Sequence, residues 1–227
     1  MNRRYSVNVK VCTAGALFLF AGAAQVLEGA LTIYNLTTDF STTANPNGVW
    51  AYELNGIPIT ATVNNAQLAG WGYSSSFDSS ITQDYSQNAE NGVNTDLHIG
   101  DVLMHAPSVP YGGSGQYGVP GAYLDIAWTS PANGVISVNG MAWDAVFASG
   151  RDANWWLSVD GTTIASRSSV YGLERTDSAA QFANNLLPGS SLSGIDVTAG
   201  EVVELAVAAD TYYGHFVGVQ EIITLST

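Results

Sequence analysis

The stretch that decides the fold is Tyr123–Gly161, YLDIAWTSPANGVISVNGMAWDAVFASGRDANWWLSVDG. A strand ends at Trp128, and Pro131-Ala132-Asn133-Gly134 makes a turn. A long strand follows from Val135 to about Asp144. After a polar break, Trp155–Val159 is a third strand, closed by Asp160-Gly161. Runs rich in Val, Ile, Trp and Tyr, punctuated by such turns, predict antiparallel hairpins.

The same grammar extends in both directions. Leu31–Leu36 reads as the first strand, Val49–Leu54 as the second. Asn55-Gly56 signals a two-residue hairpin returning through Ile57–Val63. Ser74–Thr95 and Ala106–Gly121 read as long polar or Gly/Pro-rich loops. A short helix is expected around Ala179–Leu187, where Phe182 and Leu186 fall four apart. Glu201–Ala209 alternates cleanly, and Phe216–Leu225 closes the chain. Glu221 falls on the apolar face of that last strand, which calls for a partner or a bulge. Around a dozen short strands in one domain predict an all-β, antiparallel two-sheet sandwich of jelly-roll type.

Residues 1–24 read differently. Arg3, Arg4 and Lys10 precede an apolar run from Ala14 to Ala24, and Ala21-Gly22-Ala23 is a small-x-small cleavage signal. This is the pattern of a secretory signal peptide, too short for a membrane span. Cleavage fits after Ala23, Ala24 or Ala30. The single cysteine, Cys12, lies in this segment, so residues 25–227 hold no disulfide. They hold three arginines, no lysine and nineteen acids, a formal charge of −16. Such a chain repels nucleic acid and anionic lipid. Its expected place is outside the cell or in the envelope.

Several stretches resemble a family of secreted bacterial domains, many of them sorted to the envelope by exosortase (PEP-CTERM) signals. They are Thr38-Asp39-Phe40-Ser41 with Asn45-Pro46-Asn47-Gly48-Val49-Trp50, and Met104-His105-Ala106-Pro107. Ala127–Pro131 with Gly134–Gly140 resembles the family's central strand pair. Val159-Asp160-Gly161 and Val197–Glu201 are similar to its later elements. The resemblance implies a jelly-roll sandwich like those of carbohydrate-binding modules. Two features depart from it: Ala106 stands where Pro is usual, and Ile222–Thr227 carries no sorting helix or basic tail.

Aromatic rings stack on sugar faces, with carboxylates and amides near them for hydroxyls. Trp155 and Trp156 are adjacent in one strand, so they point to opposite faces, and Trp156 is the one expected outside. Tyr212, Tyr213, Tyr111 and Tyr117 sit in loops and complete the expected ligand-binding set. Trp50 and Trp128 are expected in the core. Asp144, Asp152 and Asp210 lie at strand ends or in loops. Calcium takes oxygen ligands from such loops, and the resemblance to sugar-binding jelly rolls implies a calcium ion there. Solvated turn aspartates are the alternative. His98, His105 and His215 have no metal-binding spacing.

No nucleophile elbow, phosphate loop or catalytic cysteine is present. The expected function is therefore non-catalytic binding of glycan or of a cell-surface or matrix component. A self-assembling matrix or surface subunit is the alternative, and a glycoside hydrolase is a third reading.

Overall fold

The structure is a computed structural model. It describes residues 29–65, 67–73, 79–85, 96–107, 122–147, 150–211 and 214–227. Two antiparallel sheets pack face to face. The strands are β1 (Leu31–Asn35), β2 (Trp50–Leu54), β3 (Ile57–Pro58), β4 (Thr62–Asn64), β5 (Leu68–Gly72), β6 (Ser80–Asp84) and β7 (Val102–His105). They continue as β8 (Leu124–Thr129), β9 (Gly134–Asp144), β10 (Ala153–Val159), β11 (Thr162–Arg167), β12 (Ser193–Val197), β13 (Val202–Ala209) and β14 (Phe216–Ser226). The first sheet runs β12-β9-β14-β7-β6-β5-β4, with β1 beside the second half of β14. The second sheet runs β11-β10-β13-β8-β2-β3. From β7 to β10, and again from β11 to β14, the chain changes sheet at each connection. That alternation belongs to Greek-key and jelly-roll sandwiches.

Period-two patterning sets which side chains face inward. On β13, Val203, Leu205 and Val207 are buried; on β9, Ile136, Val138 and Ala142. Trp50, Trp128 and Trp155 are fully buried between the sheets, and Trp50 and Trp128 sit side by side in register on β2 and β8. Truncating one such ring costs about 3–5 kcal/mol. Asn55 and Gly56 both have positive φ, at 54° and 71°, as the tight β2–β3 hairpin requires.

Three expectations need correction. The return from that hairpin is not one strand: β3 stays in the second sheet, and the chain then crosses to β4 in the first. Pro58 cannot continue a ladder through its nitrogen. The stretch read as one long loop contains β6, a strand of five residues with a single large apolar side chain, Ile81, whose polar neighbours Ser80, Thr82 and Asp84 are also buried. The expected helix at 179–187 is two 3₁₀ turns, Ser178–Ala180 and Phe182–Asn184. Bridges from Gln181 to Met141 and from Leu186 to Ala165 tie this segment to an edge of each sheet. Phe182 is thereby inserted between the sheets, its ring 5.1 Å from that of Trp155. It occupies the space over Gly140, where any Cβ would lie 2.4 Å from the ring.

A second apolar cluster lies on the outer side of the first sheet. Trp143, Leu103, Leu68, Leu97, Ala145 and Ala180 form it, and Gly218 leaves room for the Trp143 ring. Arg175 closes it. Its guanidinium stacks 4.2 Å from the Trp143 ring, reaches Asp96 and makes a bidentate pair with Asp101. Among the described residues no helix is long and apolar enough to cross a membrane.

Among the described residues Glu221 has neither the partner nor the bulge that its position called for. The β9–β14 register runs unbroken through Glu221 and Gly140, and neither carboxyl oxygen meets a hydrogen-bond partner there. Burial pushes its pKa from 4.5 to about 8. The folded state thus keeps a proton that the unfolded state releases. Stability from this group is full below about 4.5 and is lost as pH rises through about 8, by at most about 5 kcal/mol. Glu221→Leu should therefore raise the urea midpoint most above that pH and flatten its decline between the two values. An unchanged pH slope in the variant would show that Glu221 does not carry this term.

Candidate functional site

The residues that converge lie on the outer face of the second sheet. Strand phase puts Trp156 there, because Trp155 and Leu157 point into the core. Trp156 is directly opposite Ala206 on β13, and Ala206 is opposite Asp125 on β8. Ala208 follows two residues along, on the same face. Both side chains are small, and on β13 Ala206 is fully buried and Ala208 half-buried. Tyr123, just before β8, meets Trp156 across that strand, with ring centroids 5.3 Å apart in an edge-on arrangement. Both rings are half-buried, so each keeps surface open to solvent.

Three carboxyl groups share the face. Glu53 on β2 is directly opposite Asp125, and Glu204 on β13 is opposite Ala127, two residues further along β8. Glu53 and Glu204 are half-buried, whereas Asp125 is 1% exposed. One oxygen of Asp125 accepts from the Gly56 backbone N–H at 3.2 Å. Among the described residues the other meets no N–H or hydroxyl donor, and the carboxyl shares a hydrogen bond with that of Glu53. Burial, then the hydrogen bond shared with Glu53 and repulsion from Glu53 and Glu204, raise the Asp125 pKa well above the carboxylate range. Burial and Glu53 raise Glu204 as well. Burial and all three carboxyls raise the Tyr123 phenol.

Of the aromatic residues expected to bind ligand, Trp156 stands where its strand phase put it. Tyr111, Tyr117, Tyr212 and Tyr213 lie outside the described residues. The expected metal set has a different geometry. Asp144 is fully buried, 2.9 Å from His215 Nε2, and accepts from the backbone of Val146 and Gly172. Asp152 accepts from the backbone of Ala153, Val170 and Tyr171. Asp210 is exposed, and its own N–H donates to the Asp152 carbonyl. Two of the three carboxylates thus fasten the 170–172 turn, and the set does not converge as the six to eight oxygens around calcium must. Among the described residues no group of three or more His, Cys, Asp and Glu is placed to hold a metal ion. His105 is buried, its ring stacked 4.0 Å from Phe216.

Two surface clefts lie elsewhere. One, of about 350 Å³, is lined by Leu54, Ile57, Ile59 and Tyr73 beside β3. The other, of about 490 Å³, contains Asp39, whose carboxyl already accepts from the Asn35 N–H and the Trp50 indole. The first has no carboxyl in its lining, and the second sets Asp39 beside the half-buried rings of Tyr34 and Phe40.

Comparison with protein-family models, with curated proteins and with solved structures finds no match to this chain in any of the three.

The carboxyl trio is also testable on its own. Asp125 holds a proton when folded that it releases when unfolded, so its contribution falls as pH rises above its ordinary value near 3.8. Asp125→Asn keeps the acceptor for Gly56 and removes the titration. The variant should be more stable than the parent at neutral pH, by roughly 1–3 kcal/mol, and should converge with it in acid. Equal stability at both pH values in a denaturant titration would contradict the protonated assignment.

Proposed function

We propose that this chain is a secreted, non-catalytic domain that binds glycan, or a related cell-surface or matrix component, across the outer face of its second sheet. The observation that carries the reading is the Trp156–Tyr123 ring pair set beside Glu53, Asp125 and Glu204 over a floor of alanines. Sugar rings offer apolar C–H faces and a rim of hydroxyls. A site for them combines flat aromatic surface with fixed hydrogen-bonding groups. Secretion rests on the leader-like first 24 residues, and an envelope setting on the family resemblance.

A broad glycan and polysaccharide array, run with calcium and with chelator, tests the reading. Trp156→Ala should weaken binding of the selected glycan by about 1–3 kcal/mol, the usual worth of one aromatic anchor, while the fold survives. Normal binding by that variant would remove this face from the function. Release of reducing ends from the bound glycan, abolished by Glu53→Gln, would replace binding with hydrolysis.

Self-assembly is a second reading, favoured by β1. This strand pairs with β14 along one edge and turns Leu31 and Ile33 outward, 66% and 64% exposed. The other sheet edges carry protective devices. Pro58 is on the two-residue β3, and β4 has three residues. The register shifts between β10 and β11 and between β12 and β9. β1 has no charge, no Pro and no bulge. If copies associate through it, Ile33→Lys should convert larger species to monomer in light scattering. A parent protein that stays monomeric at high concentration would dismiss this reading.

A further inference from the structure

Accepting association through β1, we infer that two copies of this chain pair antiparallel along that strand's free edge and close as a two-fold dimer centred on Thr32.

The ladder with β14 fixes which backbone groups of β1 face that edge. The Thr227 N–H donates to the Ala30 carbonyl at 3.1 Å, so Ala30, Thr32 and Tyr34 turn their backbone groups toward β14. Leu31, Ile33 and Asn35 turn theirs the other way. Asn35 bears this out. Its N–H donates to Asp39 Oδ2 at 2.9 Å, and its carbonyl accepts from the Thr38 hydroxyl at 3.2 Å. Those two side chains seal the edge at Asn35. Leu31 and Ile33 have no such cap. Among the described residues nothing hydrogen-bonds their outward N–H and C=O groups.

The open stretch is complementary to itself. Laid antiparallel about Thr32, Leu31 of one copy faces Ile33 of the other, and each of the two pairs exchanges both backbone bonds. The same register sets the Leu31 and Ile33 side chains, 66% and 64% exposed, against each other on the outer face. A centre at Ile33 would bring Leu31 against the capped Asn35. A centre at Leu31 would bring Ile33 against Gly29, which has no side chain to pack. Thr32 is the centre that joins open groups to open groups and apolar side chains to apolar side chains.

Charge favours a second copy at this edge over other parts of the surface. Residues 25–227 carry a formal charge of −16, so copies repel one another in general. The five residues of β1 hold no charge at all. So short a strand buries less than a standard-size interface, which makes the dimer weak and concentration-dependent. The contact is isologous, so it uses the open edge of both copies and stops at two. Its two-fold axis stands perpendicular to the joined first sheets. Both second sheets then lie on one side of it, and their Trp156 faces point the same way.

The test uses the full chain in a Cys12→Ser background, where Thr32→Cys supplies the one thiol at the proposed centre. Facing residues of a non-hydrogen-bonded antiparallel pair have Cα atoms about 4.5 Å apart, within disulfide reach. Mild oxidation should cross-link Thr32→Cys into dimer. Ser137→Cys, exposed on β9 and five strand spacings or about 24 Å from its copy, should stay uncross-linked. Leu31→Pro removes one outward N–H and leaves the bonds between β1 and β14 in place. Sedimentation velocity across about a hundredfold range of concentration should show the parent moving from monomer to dimer and this variant staying monomeric, with the same near-ultraviolet circular dichroism.

Larger species that persist in Leu31→Pro but dissolve in Ile33→Lys, without a Thr32→Cys cross-link, would overturn the inference and leave association through β1 standing. Ser137→Cys cross-linking as readily as Thr32→Cys would overturn it too. A parent that sediments as monomer throughout, with neither cysteine variant cross-linked, would remove the inference and the self-assembly reading together.

Discussion

Ten consecutive residue pairs join β9 to β14, and the molecule is assembled on that ladder. One free edge of β9 takes β12, and one free edge of β14 takes β7 and β1 end to end. The inward side chains of the two strands form the floor on which the second sheet packs. Residues 25–227 have no cysteine, so no covalent cross-link supports this arrangement. Stability rests on register and burial. A one-residue slip in β14 would turn Val217, Val219, Ile223 and Leu225 outward together, so the pairing is strongly determined. It is determined firmly enough to hold Glu221 in the interior without a partner.

The fold was largely legible because its signals are local. Asn55-Gly56 and Asp160-Gly161 each place two consecutive residues at positive φ, and each turn is a tight hairpin. Clean alternation gave β13 and the phase of β10. What escaped was decided by distant contacts. β6 is a strand because it lies between β5 and β7, where even its serine and threonine are buried. Its own composition reads as loop. The segment from Ser178 to Asn184 had helical spacing, but bridging the edges of two sheets holds it in short 3₁₀ turns.

The site was half legible for a related reason. Adjacent tryptophans in a strand must diverge, which was enough to put Trp156 outside. Glu53, Asp125 and Glu204 are 151 positions apart from first to last, and nothing in the linear sequence joins them. The one available signal was phase: each charged residue sits between inward-pointing neighbours, Tyr52 and Leu54, Leu124 and Ile126, Val203 and Leu205. Three strands with acids on the outward phase imply an acidic outer face only once the strand order is known. Exposed turns and ligand loops have the same composition, so the linear sequence does not separate turn-holding aspartates from ion ligands. Asp144 and Asp152 hold a turn of the chain itself.

The scarcity of basic residues has a consequence for how the chain meets a protease. A trypsin-like enzyme, which cuts after lysine or arginine, finds only Arg151, Arg167 and Arg175 in residues 25–227. Proteolysis needs a stretch of backbone that can be drawn out into the enzyme's cleft. Arg167 ends a paired strand, and its guanidinium is tied to the Ser169 carbonyl; Arg175 is clamped over Trp143. Arg151 is anchored to the Gly214 carbonyl. Cutting at the last two of these sequence positions requires the sandwich edge or its outer apolar cluster to open first, so digestion there is governed by opening of the fold rather than by encounter with the enzyme.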